Sequence, residues 1–187
     1  MNDEHAKIIF KLLNNHANWQ SKARKLRHCA DLLFNAFLAT KSLSDEEQAE
    51  TQDSEIDDVA TLLYGMAMEN ILKARLLKEG VAIIEPTGEV VWNAEGAKNH
   101  DLLGICSSLK SIRLESSEKN LIERLSAFVS WAGKYPTPLA QIGKREFKGF
   151  HLSNQPRAGI NNTRPLPFDI EDKDMFDRIF KSISRGT

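Results

Sequence analysis

Cysteine is scarce in this chain: Cys29 and Cys106 are the only two among 187 residues. They lie far apart, with no Cys or His nearby at ligand spacing, which excludes a zinc-ribbon site and leaves a disulfide possible but unneeded. Each falls in an apolar helical pattern, so both are expected as buried free thiols. Long apolar runs are missing as well, since none approaches the about 18 residues that a membrane helix needs. Neither charge prevails: 25 Lys and Arg face 26 Asp and Glu, and the net charge of −1 excludes a globally basic nucleic-acid binder. The 10 glycines form no phosphate-cradling loop, and no serine elbow or paired set of metal ligands occurs. No metal and no cofactor are expected. The opening Asn2-Asp3-Glu4-His5 is acidic where a secretory signal is basic, which points to a cytoplasmic protein without a membrane partner.

What is present is an ordinary globular composition, 41% hydrophobic and 27% charged, of a length that suits one compact domain. Over residues 6–40, Trp19, Ala23, Leu26, Ala30, Leu33, Phe34 and Phe37 recur at three- and four-residue steps, one face of a helix. Lys22, Arg24, Lys25, Arg27 and His28 surround that stripe and give the helix a basic outer face. Residues 41–54 form a linker rich in Asp and Glu with too little apolar content to fold alone.

A second helix follows Ser54, carries Ile56, Val59, Ala60, Leu63, Met66, Ala67, Ile71 and Ala74, and ends at Gly80 as a left-handed cap. Residues 81–85 and 89–92 then alternate as two short strands around Pro86-Thr87-Gly88. A third helix is expected over 100–112, a fourth over 117–133, and a final amphipathic one after Asp169. Between the last two lies an irregular stretch holding five of the 6 prolines. The periodicity predicts an all-α bundle over residues 1–139, with one small β-hairpin. Residues 140–187 add an irregular basic strap and a C-terminal helix packed on the bundle.

Two motifs carry a family resemblance. Tyr64-Gly65-Met66-Ala67-Met68-Glu69-Asn70-Ile71-Leu72-Lys73-Ala74 is followed, beyond the hairpin, by Asn99-His100-Asp101-Leu102. This pairing resembles the HEPN superfamily, with its Tyr/Ala helix, a Glu and a Lys four apart, and a His-Asp-Leu helix start. Trp131-Ala132-Gly133-Lys134-Tyr135-Pro136 resembles a run in a subgroup of HEPN-like proteins without assigned activity. The likeness covers residues 60–136 and implies a four- to five-helix up-and-down bundle, often a homodimer. It also implies binding of RNA or a nucleotide in a toxin–antitoxin or phage-defence setting. Catalytic relatives pair an Arg with a His four to six residues on. Only Arg145 and His151 have that spacing here, which implies a metal-independent endoribonuclease as the alternative. His151 would be its acid/base and Arg145 would stabilise phosphate charge. Glu146 and Gly149 depart from that pattern, being acidic and helix-breaking.

Read for themselves, Glu69 and Lys73 have the favoured order and spacing of a helical ion pair. With Tyr64, His100 and Asp101 they make up an expected polar cluster, either a pin between helices or the wall of a ligand pocket. Asn99 or Asp101 suits the cap of the helix that follows. Trp131, Lys134 and Tyr135 end a helix, yet aromatics beside a cation also stack a base. Five Lys and Arg residues stand against Glu146 alone over 143–167. There Lys144, Lys148 and Phe150 are the expected nucleic-acid contacts. A third reading is a protein-binding accessory subunit that docks through the acidic linker or the last helix.

Overall fold

The computed structural model describes residues 3–41, 43, 56–85, 89–94, 97, 100–132 and 168–185. Among them run six α-helices and one hairpin, the all-α architecture that the periodicity implies. Helix α1 spans Asp3–Leu13 and α2 spans His16–Lys41. The break between them divides the first long amphipathic segment, and its cause is local. Asn15 Oδ1 accepts the Ala17 amide at 3.0 Å, so Asn15 starts a new helix as an N-cap instead of continuing the old one.

Helix α3, Ile56–Lys78, is the axis of the molecule. Ala60, Tyr64, Ala67, Met68, Ile71, Leu72, Ala74 and Leu76 are all buried, because α2, the hairpin and the helices that follow cover it on different sides. It ends in a Schellman turn. The Val81 amide donates to Leu76 O at 2.9 Å and the Gly80 amide to Leu77 O at 3.2 Å, while Gly80 takes φ +70°. Strands β1, Ala82–Ile84, and β2, Val90–Trp92, pair antiparallel with Ala82 opposite Trp92. Ala82 and Ile84 point inward and Ile83 outward, so Trp92 shares the inner face with Ala82.

Helix α4, Leu102–Ser108, is shorter than the expected third helix. The Leu109 amide turns back to Cys106 O at 3.1 Å, which closes it early. Helix α5, Ser116–Ala127, runs on into a π-helical turn, Phe128–Ala132. Helix α6, Ile170–Arg185, opens with a reciprocal cap. Asp169 Oδ1 accepts the Asp172 amide at 2.8 Å, and Asp172 Oδ2 accepts the Asp169 amide at 3.3 Å. The core has two compositions. Aliphatic side chains of α3, α4 and α5 fill one end, and Phe34, Tyr64, Phe168, Phe176 and Phe180 fill the other, with Tyr64 and Phe168 stacked at 4.8 Å. Among the described residues no helix is long and apolar enough to cross a membrane.

Candidate functional site

Glu69 and Lys73 stand one turn apart on α3, on the side that the hairpin and the loop before α4 approach. Their side chains form an ion pair and are 8% and 13% exposed. His100 reaches the same carboxylate from the residue before the α4 cap, with Nδ1 at 3.1 Å from both Glu69 oxygens. A carboxylate has no proton to give, so Nδ1 is the donating nitrogen. That approach requires the left-handed backbone of His100, φ +58°, a conformation that non-glycine residues adopt at a cost.

Two indoles close the other side. Lys73 Nζ lies 5.0 Å from the centre of the Trp92 ring and 5.9 Å from that of Trp19, and the two rings meet edge to face at 5.8 Å. The Trp19–Trp92–Lys73 contact was not legible in the sequence. Only the hairpin register, which turns Trp92 inward, brings it about. Chemically the cluster is closed: the carboxylate is shared by two donors and the ammonium is covered by rings. It joins α2, α3, β2 and the start of α4, which is the work of a pin.

Tyr64 is not part of this cluster, a correction to the expected grouping. Five residues separate it from Glu69, about 140° around the helix, so it faces the opposite flank. There its hydroxyl donates to Asp31 Oδ1 at 2.8 Å among Phe34, Phe168 and Phe176. Burial, followed by the hydrogen bond and charge of Asp31 and the charge of Asp177, raises the phenol far above its ordinary value. Asp31 also pairs with Lys173 at 3.2 Å, and Lys173 with Asp177 at 2.6 Å. Arg27 bridges to Asp177 at 3.0 Å. This second polar knot ties α2, α3 and α6 together. Its two halves, Arg27 with Asp31 and Lys173 with Asp177, show in the sequence as four-residue spacings, but their meeting does not.

Asp101 is likewise a cap rather than a cluster member, accepting the Gly104 amide at 3.0 Å. Cys106 is buried, and burial with the nearby Asp101 charge pushes its thiol up to about 12. Cys29 is exposed, against expectation, because it follows the exposed His28 on the outward side of α2. A third polar group fixes the end of α3. Glu79 accepts from Ser111 and from Arg75 Nε, and these bonds hold its carboxyl below the usual range even though desolvation acts upward.

Arg145, His151, Lys134, Tyr135, Lys144, Lys148 and Phe150 lie outside the described residues, as do Asn99 and the acidic linker beyond Leu43. Trp131 is described only through its backbone in the π-helical turn. Among the described residues no group of three or more His, Cys, Asp or Glu side chains could hold a metal.

Described residues line two surface grooves along α2. The first, of about 480 Å³, is lined by Arg24, Arg27, Asp177, Phe180, Lys181 and Ser184. Asp31 meets Lys173, Arg27 meets Asp177, and Arg24 lines the groove with Lys181, so α2 and α6 run antiparallel along it. The basic first half of α2 therefore lies beside the basic last half of α6. Arg24 and Lys181 line the groove, Lys22, Lys25, His28, Arg178 and Arg185 are exposed elsewhere on the two helices, and none of the seven forms an ion pair among the described residues. The second groove, of about 250 Å³, is lined by Leu12, Leu13, Asn18, Trp19, Lys22 and Asn70. The chain matches no protein-family model, no curated protein and no solved structure.

Proposed function

We propose that this chain is a HEPN-like helical domain that binds RNA, or a nucleotide, through phosphate contacts along the α2/α6 face. The observation that carries the reading is that α2 and α6 bring Arg24 and Lys181 to one groove, with Lys22, Lys25, His28, Arg178 and Arg185 exposed elsewhere on the same two helices. Like charges repel, so Arg24 and Lys181 meeting at one groove favour an anion between them. Among the described residues that line the groove, Asp177 is the one acid, and Arg27 already pairs with it. The resemblance supplies the rest of the reading, because its Glu, Lys and His come together in one pin on α3.

The test is retention of a short RNA by the purified chain at low salt. Affinity should fall as salt rises, because each neutralised phosphate releases counterions. Replacing both Arg24 and Lys181 by Glu should weaken binding at least about tenfold and flatten the salt slope by about 1–2. These side chains are exposed, so the double variant should keep the wild-type denaturation midpoint. No RNA retained by the wild-type chain at low salt, or an unchanged slope in the double variant, overturns the reading.

A further inference from the structure

The groove on the other side of α2 differs in chemistry from the basic one. Leu12 and Leu13, from the last turn of α1, give it an apolar floor, and Trp19 forms a wall. Two terminal carbonyls of α1 fix that wall: Trp19 Nε1 donates to Leu13 O at 2.8 Å, and Asn18 Nδ2 to Leu12 O at 2.9 Å. With its N–H taken and its ring in perpendicular contact with Trp92, Trp19 is held before any ligand arrives. Asn70 Nδ2 is spent in the same way on Met66 O at 2.7 Å. Each amide thus keeps one N–H and its oxygen, a donor beside an acceptor, which is the complement of a nucleobase edge.

Size and position narrow the occupant further. About 250 Å³ falls below the range usual for drug-sized ligands, so the groove admits one ring system and not a folded strand. Lys22 stands on its rim. At about 100° per residue, Lys22, Lys25, His28 and Arg24 fan in that order across the outer side of α2. Lys22 lines the apolar groove and Arg24 the basic one, so a row of cations joins the two.

We infer that the Trp19 groove holds one unpaired base of a single-stranded nucleic acid, stacked on Trp19 and read by Asn18 and Asn70. The adjoining phosphates then cross α2 over Lys22 and Lys25 towards the α2/α6 groove. The inference rests on the proposed RNA-binding reading and sharpens it, because a duplex keeps its bases stacked and cannot offer one. Stacking on an aromatic ring is sequence-tolerant, so the preference is for single-strandedness more than for one sequence.

The experiment compares three probes on the full chain: a short single-stranded RNA, the same strand annealed to its complement, and an abasic strand of equal length. The single strand should bind about tenfold more tightly than the other two and quench tryptophan fluorescence. Trp19→Leu should abolish that preference and leave the salt slope unchanged, while Trp19→Phe should retain most of it. Because Trp19 also packs on Trp92, Asn70→Leu serves as a second variant and should reduce the preference with the fold intact. Equal binding of all three probes, or a preference that survives both Trp19→Leu and Asn70→Leu, overturns the base site while the phosphate face stands. Failure of every probe to bind at low salt overturns the underlying reading instead.

Discussion

Glu69 holds two partners from different elements while itself buried, so its loss is felt twice. Glu69→Ala leaves Lys73 under its indoles without a counter-charge and His100 in a left-handed conformation without the bond that offsets it. The variant should be destabilised by about 1–3 kcal/mol, read as a lower denaturant midpoint with unchanged slope. Tyr64 gives a second test, this time through pH. Its folded-state pKa is raised, so the neutral phenol is favoured in the native protein. The resulting stability is fully present below the ordinary tyrosine value of 10.0 and is lost as pH climbs above it. Alkaline titration should therefore show the Tyr64 tyrosinate absorbance appearing together with loss of helical circular dichroism, and Tyr64→Phe should remove that contribution. In a Tyr135→Phe background, which leaves Tyr64 as the one tyrosine, tyrosinate forming in the folded chain at an ordinary pH would contradict the buried hydroxyl.

At the scale of elements, the contact between α3 and the π-helical turn depends on one missing methyl group. A Cβ at Gly65 would lie 2.5 Å from Val129 Cγ2 and 3.0 Å from the carbonyl oxygen of Leu125. Alanine is favoured over glycine within a helix by about 1 kcal/mol, yet overpacking against backbone costs about 1–3 kcal/mol. Val129 is buried and the Leu125 oxygen belongs to a neighbouring helix, so neither gives way cheaply. Gly65→Ala should consequently lower the thermal midpoint, and an unchanged or raised midpoint would show that α3 and the π turn slide apart freely. Element boundaries follow caps more than stripes here. Asn15 starts α2, Asp101 starts α4 and Asp169 starts α6, each through a side-chain oxygen on a backbone amide. These are residue types that sequence reasoning can weigh. At Asn15 the apolar stripe reads straight through the break.

At the scale of the whole molecule, two polar knots on opposite flanks of α3 set how the outer helices lie. The Glu69 pin fastens the hairpin and α4. The Asp31 knot fastens α2 to α6 and thereby fixes which halves of those helices face each other. Asp31→Ala removes the acceptor of the buried Tyr64 hydroxyl and one partner of Lys173. A loss of about 1–3 kcal/mol is expected. Because the register of α6 on α2 depends on this knot, RNA affinity should fall along with stability. Destabilisation without any loss of affinity would mean that the basic face forms independently of it.

The break at Asn15 and the early end of α4 were not readable from the residues of this chain, but the hairpin and most helices were, because hydrophobic period is a local property that travels with the sequence. So was the meeting of Glu69 with Lys73, which a four-residue spacing dictates, and the approach of His100, which its place at a helix start suggested. The exposure of Cys29, the separation of Tyr64 from Glu69 and the two indoles over Lys73 were decided by tertiary structure, since each depends on which flank a neighbouring element covers. The same holds for the basic face. Lys22 to His28 and Arg178 to Arg185 lie about 150 residues apart in the chain. A net charge near zero conceals them, and only the antiparallel docking of α6 on α2 adds their fields together.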